Sequence, residues 1–346
     1  MKKKESAKNT KPAVSKRTML IVLCSVLALV LVLLVVGTVY MESIMGLIGR
    51  DHDDSSLSAS ELEEFLKGET ETMDPNFTGE ILNEEDINLN LFEGNAEKAE
   101  HIINIMLIGQ DRRPGEGRTR SDVMLLCTIN KKTQEITMTS FMRDMYVAIP
   151  GYYDHKMNTA YALGGMPVLD ACLEKNFGIH VDGNVEVDFD GFVGLIDLMG
   201  GVELTLTEDE AWHLGRLGHS VTVGVNQLNG KEALAYAQNR STGNADFDRT
   251  ERQRKVVGAL IEKCRGMNLS QLKGLMEKAL PMLTTDLSNR EILGYIIDLL
   301  PMLTNLKVNT QRIPVDGTYQ SAWVREMSVL IPDLEANREI LKNTLN

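Results

Sequence analysis

Hydrophobic and polar positions change character three times along the chain. Met19 to Met41 reads MLIVLCSVLALVLVLLVVGTVYM, without one charged side chain. At a rise of about 1.5 Å per residue this makes roughly 34 Å of helix, enough to cross a hydrocarbon core of about 30 Å. From Asp51 to Glu100 the apolar residues are scattered without a sustained period, and only Leu62, Phe65 and Leu66 suggest a short amphipathic turn. From Ile102 the spacing is that of a folded domain. INIMLIG, DVMLLCTIN, ITMTSF and MYVAIP are short apolar runs that predict four strands, with Lys131-Lys132-Thr133-Gln134 as the turn between the second and third. MPVLDACLEKNFG has helical spacing (Val168, Leu169, Cys172, Leu173) and a stop at Gly178. NVEVDFD and VELTL predict further strands, separated by a helix in GFVGLIDLMGG. Beyond Asn229 the chain turns mostly helical: KEALAYAQ, a long helix from Asp248 to Cys264, and two more between Ser270 and Leu303. A strand near Gln311–Ile313 and a closing strand and helix complete it. Strands alternating with helices give an α/β domain with a buried sheet.

Charge sharpens the division. The net charge of -13 is unevenly spread: residues 1–50 carry eight basic and two acidic side chains, residues 51–100 two basic and sixteen acidic. Lys2, Lys3, Lys4, Lys8, Lys11, Lys16 and Arg17 precede the apolar run, which by the positive-inside rule puts that flank in the cytoplasm and the rest outside. A cleaved signal peptide would have a shorter core and a small-residue site, and Gly37-Thr38-Val39-Tyr40 offers none. The expected organisation is a basic cytoplasmic tail (1–18), a single transmembrane helix (19–41), an acidic, solvated extracytoplasmic stalk (42–100) and a folded domain (101–346). No DNA-binding motif or basic domain appears, so nucleic acid is not an expected partner. The four cysteines show no paired spacing, and the six histidines lie in no HExxH or triad-like context, so zinc and Ser-His-Asp hydrolysis find no support. There is no GxSxG and no Walker A.

Three clusters carry candidate chemistry. The first, Gly109-Gln-Asp111-Arg112-Arg113-Pro-Gly-Glu-Gly-Arg118-Thr-Arg120-Ser-Asp122, leaves one strand at its C-terminal end, where ligands bind in open α/β sheets. Guanidinium forks match phosphate oxygens, and two aspartates offer hard oxygens for Mg²⁺. The second is Arg143-Asp144, wedged between two strands. The third is Arg240 followed by Asp246-Phe-Asp248-Arg249-Thr-Glu251-Arg252-Gln253-Arg254. Asp248 and Glu251 resemble a capping box, which would start the helix there. Arg249, Arg252 and Gln253 then share one face of its first turns, where cations oppose the dipole unless an anion is held.

The succession NIMLIGQD, RTRSDVMLLCTIN, MRDMYVAIPGY, KMNTAYALGG, VEVDFDGFVGLIDLMGGVEL, QLNGKEALAYAQNR and DFDRTERQRKVV, over about residues 100–265, resembles the LytR–CpsA–Psr family. The resemblance implies a three-layer α/β/α sandwich with a mixed central sheet and an apolar groove for a polyprenyl tail. It also implies a phosphotransferase of Gram-positive envelopes, moving a glycopolymer such as teichoic acid or capsule from a polyprenyl-pyrophosphate carrier to the C6 hydroxyl of N-acetylmuramic acid in peptidoglycan. By position, Asp111 and Asp122 would hold Mg²⁺, or Mn²⁺ in its place. Arg118, Arg120, Arg143, Arg240, Arg249, Arg252 and Gln253 would surround the pyrophosphate, with Asp144 orienting Arg143. Gln238 stands where the family commonly has arginine. Two readings use the same residues differently: a binding or attenuator-like regulatory protein that captures lipid pyrophosphate without transfer, and a hydrolase with water as acceptor.

Overall fold

The computed structural model describes residues 42–43, 45–50, 70–110, 118–302 and 305–345. The chain divides into two units, Met1–Gly46 and Leu47–Asn346, and the second carries the sheet and the candidate site. The apolar run Met19–Met41 lies outside the described residues, among which no helix is long and apolar enough to cross a membrane.

A seven-stranded mixed sheet organises the domain. In chain order its strands are β1 (Gly49–Arg50), β3 (Ile102–Gln110), β4 (Ser121–Asn130), β5 (Glu135–Phe141), β8 (Gly183–Asp188), β11 (Thr284–Thr285) and β12 (Lys307–Ile313), arranged β1-β11-β8-β3-β4-β5-β12. The pairs β3–β8, β5–β12 and β1–β11 are parallel, whereas β3–β4, β4–β5 and β8–β11 are antiparallel. β3 and β4 are central because their side chains are apolar toward both faces. Their turn partner works as expected: Asn130 accepts from the amides of Lys132 and Thr133, and Gln134 takes the left-handed conformation that closes the β4–β5 hairpin.

Helices pack on both faces. On one, Met106, Ile108, Met124 and Leu126 meet α1 (Met157–Phe177) and α8 (Leu334–Leu345). On the other, Ile103, Leu125, Ile129 and Met138 meet α5 (Ala245–Arg265) and α7 (Asn289–Leu299). A third core joins α2 (Phe189–Leu198), the hairpin of β9 (Val202–Leu206) and β10 (Gly224–Leu228), α3 (Glu208–Arg216) and α4 (Gly230–Gln238) to Val256 of α5. The short helix after Asn229 forms as expected, closed by a capping box between Asn229 and Glu232. α6 (Leu269–Ala279) follows α5.

Several expectations are corrected. MYVAIP yields only the two-residue β6 (Tyr146–Val147), paired with β7 (His155–Lys156), because the chain turns at once into α1. α1 begins nine residues before the predicted MPVLDACLEKNFG helix and breaks at Gly164 and Gly165, whose φ/ψ are not helical. α5 starts at Ala245, not Asp248: the Asp248 carboxylate accepts from the Asn244 amide at 2.8 Å instead of capping a helix of its own. The chain closes with a hairpin, β13 (Tyr319–Val324) and β14 (Met327–Pro332), rather than one strand. β2 (Glu80–Ile81) joins this hairpin in parallel, while Leu82, Ile87, Leu89 and Leu91 pack on the cores. Within the expected stalk, Gly49–Arg50 is therefore a strand of the central sheet, and the segment from residue 70 runs along the folded domain. Its apolar residues show no period because the segment lies extended on a surface.

Candidate active site

α5 crosses the sheet with a graded face. Arg249, Gln253, Val256, Val257 and Leu260 recur at helical spacing, charged at one end and apolar at the other. That face lines a cavity of about 460 Å³ between α5 and the strands. β3 and β4 contribute Leu107, Val123 and Leu125, β8 contributes Val185 and Val187, and α2 contributes Phe189, Phe192 and Leu195. α4 adds Leu234, Ala237 and Gln238. The polar lining (Asp122, Asp188, Gln238, Arg240, Arg249, Gln253) comes from strand ends, helix ends and the loop after α4. Strand register shifts between Gly109 and Gln110, a local irregularity of the kind found beside active sites, just before the chain enters residues 111–117.

Beside this polar lining stands a cluster of ion pairs. Arg143, in the turn after β5, reaches Asp122 of β4 at 3.0 Å, Asp144 at 3.3 Å and Asp246 at 3.8 Å. Asp246 is the hub: it also meets Arg240 at 3.3 Å and Arg249 at 3.0 Å, the latter one helical turn away. Arg240 lies 3.9 Å from Asp122. The carboxylate of Asp246 sits in the first turn of α5, where the helix dipole favours negative charge. Asp144 also lies 3.4 Å from the ammonium of Lys156, which is bonded to Glu71 as well.

Burial sets the electrostatics. It pulls the Arg249 guanidinium down to about 10; the like charge of Arg143 adds to this, and Asp246 offsets only part. Arg120 is lowered for the same two reasons. Burial pushes Arg143 down too, but Asp144, Asp246 and Asp122 outweigh it and hold it above its ordinary value. Among the described residues Arg249 thus carries a charge that its surroundings under-compensate, with a buried Nε that has no hydrogen-bond partner there. An anion at this point would supply the missing compensation.

The structure brings Asp122, Arg120, Arg143, Asp144, Arg240, Arg249 and Gln253 into this region; Asp111 lies outside the described residues. Arg252 is a correction. Its guanidinium is buried and points away from the cavity: Nε donates to Glu210 at 2.8 Å, Nη1 to the Asn239 carbonyl at 3.0 Å, and Nη2 to the Thr242 hydroxyl at 2.7 Å. With its fork used on protein acceptors, Arg252 holds the turn that carries Arg240 and has no face left for a phosphate. Arg118 stands beside the Tyr161 ring, with its guanidinium carbon 5.9 Å from the ring centre. Gly165, at φ +66°, leaves the room: a Cβ there would come within 2.9 Å of that carbon. Because α5 starts at Ala245, Arg249 and Arg252 both fall beyond its first turn, where the helix dipole acts only weakly on them. Asp246 is the residue that sequence reasoning left without a role; its i,i+3 spacing to Arg249 was the available signal.

No three metal-binding side chains converge among the described residues. Mg²⁺ needs only one or two carboxylates when substrate phosphates complete its shell, and Asp122, a cavity-lining carboxylate bonded to Arg143 through Oδ1, fits that requirement.

The LytR_cpsA_psr family model matches residues 66–344. The regulatory protein MsrR of Staphylococcus aureus is 37% identical over 177 residues, 51% of this chain and 53% of MsrR, so the match spans about half the length of that relative. The polyisoprenyl-teichoic acid–peptidoglycan teichoic acid transferase TagU of Enterococcus faecalis is 30% identical over 245 residues, 69% of this chain and 77% of TagU. Among solved structures, TagT bound to LI-WTA superposes with a TM-score of 0.59 at 27% identity, covering 71% of this chain and 91% of that one. TagT with bound octaprenyl pyrophosphate lipid superposes with a TM-score of 0.53 at 25% identity over the same shares.

Proposed function

The chain belongs to the LytR_cpsA_psr family, and from this membership and the site's geometry we propose that it is a membrane-anchored glycopolymer phosphotransferase of the Gram-positive cell envelope. Its donor is a polyprenyl-pyrophosphate-linked glycopolymer and its acceptor the C6 hydroxyl of N-acetylmuramic acid in peptidoglycan. The observation that carries the reading is the joining of an apolar cavity of about 460 Å³ to an arginine-rich cluster, a match for a ligand with an isoprenoid tail and a pyrophosphate head. The similarity to a teichoic acid transferase and to a structure holding octaprenyl pyrophosphate supports it.

In this reading Arg240 and Arg249 bind the pyrophosphate oxygens, with Gln253 as a further hydrogen-bonding group and Arg120 and Arg143 behind them. Asp246 and Asp144 fix the guanidinium planes before the ligand arrives, so little reorganisation is needed as charge develops on the leaving polyprenyl phosphate. The acceptor oxygen bonds to the glycan-bearing phosphorus, the bond from that phosphorus to the bridging oxygen breaks, and polyprenyl phosphate leaves. The acceptor's proton passes to solvent or to a neighbouring carboxylate. Asp122, with Asp111, would hold Mg²⁺, which supplies charge neutralisation at the phosphates when bound. The expected organisation, with an anchor at residues 19–41 and the site outside the cell, belongs to the same proposal.

The test uses the full chain in detergent with Mg²⁺, a lipid-pyrophosphate saccharide and a peptidoglycan oligomer. Polyprenyl phosphate should be released, and chelation of the metal or Asp122→Asn should stop its release while leaving the thermal melt in place. Release indifferent to both would contradict the role given to Asp122.

A further inference from the structure

A second cavity, of about 280 Å³, is lined by Arg143, Asp144 and Asp246 of the ion-pair cluster. It is unlike the first. Glu71, Asp144, Lys156 and Ser328 stand around it, and Phe247 and Leu330 are among its apolar lining. No described residue lines both cavities, yet the residues of one are bonded to those of the other. Arg143, on the second cavity, holds Asp122 of the first at 3.0 Å. Asp246, also on the second, holds Arg240 and Arg249 of the first at 3.3 and 3.0 Å. The wall between them is a single layer of paired guanidiniums and carboxylates.

The second cavity's own groups are held in place. The Lys156 side chain is 7% exposed, with its ammonium bonded to Glu71 and 3.4 Å from Asp144. Glu71 is tied from three sides: to Lys156, to the Ser328 amide at 3.1 Å, and through its own amide to the Glu326 carbonyl at 2.8 Å. Carboxylates and cations alternate here with nearly balanced charge, which gives no strong attraction to an ion of either sign. Adjacent fixed acceptors and donors suit a neutral ring bearing several hydroxyls, with Leu330 as an apolar contact, while the Phe247 ring is already engaged by Tyr319 and by the Arg312 guanidinium 4.3 Å from its centre.

We infer that this polar cavity receives the acceptor saccharide and presents its hydroxyl to the phosphorus at the edge of the ion-pair wall. The inference rests on the phosphotransferase reading above and adds to it where the acceptor sits. In-line displacement at phosphorus requires the entering oxygen to lie opposite the leaving one. Arg143 and Asp246 of the polar cavity are bonded to Asp122, Arg240 and Arg249 of the apolar one, so an acceptor seated in the polar cavity lies next to the guanidiniums that would grip the pyrophosphate. Glu71, Asp144, Lys156 and Ser328 are then acceptor-binding residues, and none of them touches the lipid.

The test measures two affinities separately on the full chain in detergent: that of a non-hydrolysable polyprenyl-pyrophosphate analogue, and that of a soluble peptidoglycan-type oligosaccharide added to the analogue-loaded protein. Ser328→Phe, which fills the cavity from its rim, should weaken the saccharide at least tenfold and leave the lipid analogue within about twofold. Glu71→Gln, a milder change that serves if Ser328→Phe melts early, should weaken the saccharide about threefold or more with the same lipid affinity. Saccharide binding unchanged in both variants, or no saccharide binding to the wild-type protein, overturns the inference while leaving lipid recognition intact. Failure of the wild-type protein to bind the lipid analogue overturns the phosphotransferase reading instead, and the saccharide titration of the unloaded protein then decides the inference by itself.

Discussion

Arg249 and Arg252 are one turn apart on α5 and serve opposite purposes. Arg252 is paired with Glu210, and both side chains are 6% exposed. Removing one member of such a pair strands a buried charge, so Arg252→Ala should destabilise the domain by about 3–5 kcal/mol. Chemical denaturation measures it, and a loss under about 1 kcal/mol would show that the pair is not what holds the Asn239–Thr242 turn. Arg249 is desolvated and under-compensated by the described protein groups around it, so Arg249→Ala should cost far less stability. It should instead lose about 1.5–3 kcal/mol of pyrophosphate affinity, a charge-assisted hydrogen bond's share, and lysine should not restore it because the fork is lost. Equal losses of binding and stability in Arg249→Ala would return that residue to a structural role. A third residue gives the domain a pH dependence. Burial raises the Asp170 carboxyl to about 7, with Asp286 contributing and the Asn184 amide at 2.9 Å opposing. Its folded pKa lies above the unfolded one, so between about pH 4 and 7 the folded state binds more protons and stability falls as pH rises. The slope approaches roughly 1.4 kcal/mol per pH unit inside that window. Asp170→Asn should flatten this part of the melting profile and raise the Tm at pH 8; an unchanged profile would contradict the assignment.

At the scale of elements, what was legible depended on whether the information was local. The central strands β3 and β4 announced themselves because apolar runs bounded by turn residues have few alternatives, and the Lys131–Gln134 turn carries its own chemistry in Asn130. α4 was legible from the helix-forming run KEALAYAQ that follows Asn229, and the Asn229–Glu232 capping box that starts it emerged only in the structure. The start of α5 was not: Asp248 and Glu251 have capping-box spacing, but the Asp248 carboxylate is spent on the Asn244 amide. Nor could the chain alone reveal that Arg252 would bury its fork, because Glu210 lies 42 residues away. Asp246 became a hub only when β4, the turn after β5, the loop after α4 and α5 converged. The graded face of α5 makes an element-scale prediction. Leu195→Trp, filling the apolar cavity from α2, should abolish binding of long polyprenyl-pyrophosphate analogues while short-chain analogues keep binding at the arginines. Equal loss for both chain lengths would mean that the cavity does not hold the tail.

The whole molecule joins an apolar cavity and a polar cavity through one charged wall, over a mixed sheet covered by helices on both faces. Its family was legible from ordered sequence blocks, and the wall was partly legible, since arginines and aspartates cluster at strand ends and loops where an α/β sheet exposes its ligand site. The paired arrangement was not, because it depends on residues as distant as Glu71 and Ser328 meeting at one place. Transfer to a saccharide hydroxyl, as opposed to capture or hydrolysis, is read by mass analysis of the products formed by the full chain, Mg²⁺, a lipid-pyrophosphate saccharide and a peptidoglycan oligomer. The expected product is a glycan joined to the oligomer through one phosphodiester at a muramic acid C6, with an equal amount of polyprenyl phosphate. Polyprenyl phosphate released together with free glycan phosphate and an unmodified oligomer, or donor bound and left intact, would contradict it.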